Sequence, residues 1–150
     1  MTRAWNACVL AVMAVIVTTV ATMDTGRAAV GYSTYSIRGT YRITYTGLSL
    51  PSMVPESGIG VFVADGTGGL TGTEVVNVGG HLCPNVAVTG SYTVDGNGLG
   101  SLTAAFTSPT PGCSGNFTLA LLVLDGGDTV KGLATGSGFV TLSENWKREY

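Results

Sequence analysis

The sequence predicts an all-β fold, a single eight-stranded antiparallel barrel in up-and-down (meander) order. Three observations lead there. Short segments rich in β-branched residues alternate apolar and polar side chains with a period of two, and nothing after residue 29 carries a helical period. Only 11% of residues are charged while Gly, Thr, Ser and Val are abundant, a composition suited to sheets with a polar but mostly neutral surface. Asp-Gly pairs recur in three short connections, at Asp65-Gly66, Asp95-Gly96 and Asp125-Gly126.

The first strand is the clearest. Tyr35, Ile37, Tyr41, Ile43 and Tyr45 share one face, and Ser36, Arg38, Thr40, Arg42 and Thr44 the other. Seven more strands are predicted at Gly58–Ala64, Gly69–Asn77, Val86–Val94, Gly98–Phe106, Asn116–Leu124, Thr129–Leu133 and Gly138–Leu142. The Asp-Gly pairs join the second strand to the third, the fourth to the fifth and the sixth to the seventh, because such turns need the positive φ that Gly adopts freely and Asp tolerates.

In a meander, alternate connections lie at the same end. The Asp-Gly turns close one end, so the connections Thr46 to Ser57, Gly79 to Asn85 and Thr107 to Gly115 share the other. These longer loops hold all five prolines and both Cys83 and Cys113, which places the two cysteines at one end. Strand glycines Gly39, Gly60, Gly72, Gly90 and Gly100 mark the bends that a small barrel requires. An eight-stranded sandwich fits the same pattern; closure, which removes exposed edges, favours the barrel. Gly39-Thr40-Tyr41-Arg42-Ile43 echoes Gly90-Ser91-Tyr92-Thr93-Val94, which either a duplication or shared hairpin grammar explains.

The start of the chain reads as an export signal over residues 1–28. Arg3 precedes an apolar run from Ala7 to Met23, and Gly26-Arg27-Ala28 offers small residues for a cut after Ala28, with Ala29 nearly as good. An uncleaved anchor is the alternative, although the run is short for a span of about 20 residues. The remaining domain, 29–150, is expected to be secreted or periplasmic and free of the membrane after cleavage. It keeps Arg38, Arg42, Lys131, Lys147 and Arg148 against eight carboxylates. That mildly acidic balance has no basic stripe for a phosphate backbone, which excludes a nucleic-acid partner. With Cys8 in the leader, an oxidising compartment makes Cys83–Cys113 a disulfide.

Gly39-Thr40-Tyr41, the stretch Gly60-Val61-Phe62-Val63-Ala64-Asp65-Gly66-Thr67-Gly68-Gly69-Leu70-Thr71-Gly72 and the stretch from Gly90 to Thr103 resemble a family of small secreted bacterial proteins. Its barrel is similar to that of allene oxide cyclase and, more loosely, the lipocalins. The resemblance implies a secreted barrel without an assigned activity; these motifs are turn and strand grammar, and no cyclase residues carry over. Gly69-Leu70-Thr71-Gly72-Thr73 also looks like an early avidin strand. Biotin pockets are walled by tryptophans within strands, however, and here Trp5 is in the leader and Trp146 lies beyond the last predicted strand.

His81 is the only histidine, and it lies beside Cys83 at the end where a ligand mouth would open. A nucleophilic triad requires an orienting carboxylate and a defined nucleophile, neither of which can be nominated, so His81 is read as a solvated loop residue. One histidine beside an oxidised cysteine pair makes no metal site, and the Asp-Gly loops match neither the EF-hand nor the nonapeptide calcium pattern. No cofactor is implied. Asn116-Phe117-Thr118 fits the glycosylation sequon, read as chance. Glu56 and Glu74 could pair for acid–base work, but nothing in the sequence joins them, and both are read as surface residues. Ligand contacts are assigned to Glu56, His81 and Asn85 at the mouth and to Tyr41 and Tyr92 inside, with a filled core expected over an open cavity. The function expected is therefore non-catalytic, binding a small apolar ligand or a surface partner. The alternative is a barrel isomerase or cyclase of the allene oxide cyclase-like type.

Overall fold

The fold is described by a computed structural model covering residues 31–136 and 138–150. The expected leader, with Cys8, Trp5 and the expected cut after Ala28, lies outside the described residues. Eight strands form: β1 (Arg38–Ser49), β2 (Val54–Asp65), β3 (Gly69–Val78), β4 (His81–Val94), β5 (Leu99–Thr107), β6 (Gly115–Leu124), β7 (Thr129–Ala134) and β8 (Phe139–Arg148). Each pairs antiparallel with the next, and β8 pairs antiparallel with β1, closing the barrel. The meander and its closure stand as the turn grammar predicts; a sandwich would leave β1 and β8 apart.

Two turns use the same device. Asp65 Oδ1 accepts from the amides of Thr67 and Gly69 at 2.7 and 2.9 Å, and Asp95 Oδ1 accepts from those of Asn97 and Leu99 at 2.8 and 3.0 Å. A short carboxylate satisfies two amides that a tight hairpin leaves unpaired. The third turn differs. Asp125–Gly127 is a 3-10 turn with φ of 52°, 69° and 103° along its three residues. Gly127 is obligatory there, since a Cβ would collide with the Ser36 carbonyl.

Four boundaries depart from expectation. Thr34–Ser36 is a 3-10 turn, so β1 begins only at Arg38 and Tyr35 is exposed beneath the Arg38 guanidinium. The β1–β2 loop shrinks to residues 50–53 because both strands run on. The β3–β4 connection is a two-residue turn at Gly79-Gly80, φ 58° and 93°, so His81 opens a strand instead of sitting in a loop. Finally, β8 runs to Arg148, and Trp146, placed beyond the last strand by the sequence, is fully buried. One residue of β8 is skipped where Thr46 pairs with Ser143 and Gly47 with Thr141. Such a bulge exchanges the inward and outward faces, which puts Glu144 and Trp146 inside.

The end with the Asp-Gly turns is packed solid. Trp146 meets Phe62 and Tyr41 edge-to-face, with centroids 5.3 and 6.2 Å away. Segment 32–37 caps that end: Ile37 is fully buried, its carbonyl accepts from the Tyr92 hydroxyl, and the Tyr32 amide donates to the Gly96 carbonyl. Arg148 donates to the Ser36 carbonyl at 2.7 Å and to the Tyr41 hydroxyl, which itself donates to the Gly127 carbonyl at 2.7 Å. At the other end Cys83 and Cys113 are disulfide-bonded with Cα atoms 5.7 Å apart. The bond ties the start of β4 to the β5–β6 loop.

Closing a chain segment of 30 residues should contribute about 3–4 kcal/mol through the unfolded state. A Cys83→Ala/Cys113→Ala variant is therefore expected to keep the barrel's far-ultraviolet spectrum and lose that amount in urea denaturation. An unchanged midpoint at unchanged slope would refute this contribution.

Candidate functional site

The barrel is not filled throughout, contrary to the sequence reading. Above the Trp146 layer the mouth half holds a cavity of about 620 Å³. Its wall is largely apolar, with Phe62, Val76, Val86, Phe106, Phe117 and Leu119 from five strands. Small residues make the room. Phe62 lies across from Gly72 and Phe106 across from Gly115, so each ring folds over a glycine instead of filling the centre. The disulfide forms part of the rim.

Three carboxyls face this space: Glu56 from β2, Glu74 from β3 and Glu144 from β8. Glu74 is no surface residue; it is 7% exposed and Glu144 8%. Glycines seat both: a Cβ at Gly132 would stand 2.6 Å from the Glu144 carboxyl carbon, and one at Gly60 would stand 2.7 Å from the Glu74 Cβ. The Trp146 indole N–H donates to Glu144 Oε1 at 2.8 Å and fixes that carboxyl. No protein group among the described residues hydrogen-bonds the Glu74 carboxyl.

Burial dominates the electrostatics, since a desolvated carboxyl favours its neutral form. It pushes Glu74 up to about 7, helped by the negative charges of Glu144 and Glu56. Burial also pushes Glu144 up to about 7, opposed by the indole hydrogen bond. Glu56 is raised by burial and held back by a hydrogen bond with Ser49. The Tyr45 hydroxyl, also lining the cavity, is pushed up first by burial and then by Glu74, Glu56 and Glu144. Tyr45 and the three carboxyls thus line one space, an acidic cluster.

Of the residues assigned to ligand contact from the sequence, Glu56 and His81 line the cavity, with His81 exposed at its edge. Asn85 does not line it. It sits exposed with φ 54° where the β3–β4 register slips, a bulge residue. Tyr41 and Tyr92 are also elsewhere, their hydroxyls committed to the cap at the closed end. Glu74 and Glu144 are among the polar lining residues that the sequence reading did not assign to the site. Strand parity carried a signal for Glu74, which shares its face with Leu70 and Val76. The β8 bulge erased the corresponding signal for Glu144.

Among the described residues, the only group of three His, Cys, Asp or Glu side chains with ligand atoms within 4.8 Å of one another is His81, Cys83 and Cys113. The disulfide withdraws two of those donors. The acidic cluster is too spread to enclose one metal ion, which needs several oxygens converging at about 2.0–2.6 Å.

A carboxyl raised in the folded state keeps a proton that the unfolded chain has released. Stability is therefore lost as pH climbs from the usual 4.5 through about 7 and is level above that. Unfolding stability is expected to be greater at pH 5.5 than at pH 8.5 by on the order of a few kcal/mol, read as a higher melting temperature at pH 5.5. A Glu74→Gln/Glu144→Gln variant should flatten the profile, and a wild-type melting temperature that rises across this window would refute the assignment.

No family model, curated protein or solved structure matches this chain, so the cavity and its carboxyls are the ground on which a function must be argued.

Proposed function

We propose that this is an exported, non-catalytic binding barrel that takes a small, largely apolar molecule into the mouth-side cavity. The observation that carries the reading is the cavity itself. At about 620 Å³ it falls within the range of small-molecule sites, about 300–1,000 Å³, and like such sites it sets polar groups into a mostly apolar wall. The scaffold supports binding without large rearrangement: the walls are continuous strands and the disulfide holds the rim. The disulfide is compatible with a secreted or periplasmic site of action.

One observation favours the second reading, an isomerase or cyclase. Glu74 and Glu144, both pushed to about 7, could exchange protons with a substrate near neutral pH. The two readings separate on the fate of the ligand. A bound molecule recovered unchanged by mass spectrometry and chromatography supports binding alone, and one recovered as an isomer supports catalysis.

A neutral fluorescent probe, N-phenyl-1-naphthylamine, tests the cavity. Saturable enhancement at one probe per chain is expected, and Val78→Trp, which places an indole at a half-buried position in the cavity wall, should abolish it while the fold is retained. Absence of saturable binding to the wild type, or equal binding to the folded Val78→Trp variant, would refute the reading.

A further inference from the structure

We propose that the molecule this cavity selects is an organic cation, an apolar or aromatic body bearing a protonated amine, whose ammonium sits between Glu74 and Glu144. The inference rests on the cavity being a binding site and adds the chemical class of its ligand.

Three independent observations point there. First, Glu74 as a residue is only 7% exposed, it lines the cavity, and its carboxyl has no protein hydrogen-bond partner among the described residues. A carboxyl drawn into a largely apolar cavity with no hydrogen-bonding partner from the described chain costs stability, a cost that a ligand in the cavity would offset. Second, every cation of the described residues is engaged elsewhere. Arg38 covers Tyr35, Arg42 pairs with Glu149, Lys131 bonds Asn145, Lys147 bonds Thr129, and Arg148 pairs with Asp128 at the closed end. The cavity thus concentrates three carboxyls without an internal counter-charge. Third, the walls suit an organic cation better than a metal ion. The carboxyls are too dispersed for inorganic coordination, whereas an ammonium has three N–H donors for acceptors spread around it. The neighbouring rings of Phe62, Phe106 and Phe117 can take the apolar body and offer their faces to positive charge.

The residues divide the work. Glu144, fixed by the Trp146 indole and seated on Gly132, presents one oxygen already oriented. Glu74 supplies the partnerless carboxylate opposite. The titratable groups facing the ammonium are these two, Glu56 on β2, Tyr45 on β1 and His81 at the edge on β4; β5, β6 and β7 turn no charged side chain inward. Binding a cation favours the ionised carboxylates, so a proton leaves Glu74 or Glu144 for solvent as the ammonium enters. Affinity rises with pH across the range near 7.

The test is displacement of the bound naphthylamine probe from the wild-type chain by three indoles of nearly one shape: tryptamine (cation), tryptophol (neutral) and indole-3-acetate (anion). At pH 8.5 tryptamine should compete about 30-fold better than tryptophol, as charge-assisted hydrogen bonds allow, with indole-3-acetate the weakest. Its advantage should fall about 30-fold by pH 5.5, where a carboxyl of pKa about 7 is roughly 3% ionised. Near pH 7 tryptamine binding should also release protons, read by calorimetry in two buffers of different ionisation enthalpy, and at pH 8.5 Glu74→Gln should bring tryptamine down to the tryptophol level. Equal competition by the cation and the neutral indole, or no proton release from the wild type, overturns the cation assignment while the binding cavity stands. Failure of the probe itself to bind removes both.

Discussion

The indole of Trp146 sets the floor of the site. It stacks edge-on against Tyr41 and Phe62, and its N–H donates to Glu144 on the cavity side. Below it the barrel is packed and capped by segment 32–37; above it the interior is open. One large side chain thus separates the packed half of the barrel from the open half. It does so because it comes from β8, the strand whose pairing with β1 closes the barrel. Closure and floor are consequently one feature, and the carboxyl two residues away inherits a fixed position from it.

The division follows from the arithmetic of a small barrel. Eight strands enclose an interior that side chains can fill or leave vacant according to their size. At the closed end the inward positions are Tyr, Trp, Ile, Leu and Val. Toward the mouth, Tyr45 lies over Gly58 and Phe106 over Gly115, and the centre stays open. The cost of that openness is lost dispersion contact, and the packed half together with the disulfide offsets it.

Buried acid within such a space is a second expense. Burial raises the pKa of all three carboxyls, and the charges of Glu144 and Glu56 raise that of Glu74 further. A fold selected for stability alone would place apolar side chains there. The free barrel accordingly carries a local electrostatic tension that a cationic guest would relieve, coupling the apolar shape of the cavity to the charge of what enters it.

Much of the fold was legible in the sequence, and the reason is local. Alternation in the first strand, Asp-Gly at the hairpins and the end-to-end parity of a meander together implied eight antiparallel strands with Cys83 and Cys113 at one mouth. Each of those signals is written within a few neighbouring residues or follows from counting turns. The contents of the interior were not legible in the same way. Glu74 shared its parity with Leu70 and Val76, yet parity alone gives a face and not the neighbours across the barrel. Glu144 and Trp146 were concealed by a bulge in β8, because one skipped residue reverses inside and outside for everything that follows. Tyr41 and Tyr92 face inward as their alternation implies, but the cap formed by residues 32–37 takes their hydroxyls. Sequence determined the strands, the turns and the paired cysteines. Only the closed barrel decided which inward residues meet, since strands far apart along the chain become neighbours through β1–β8 pairing, and that meeting creates both the cavity and its acid.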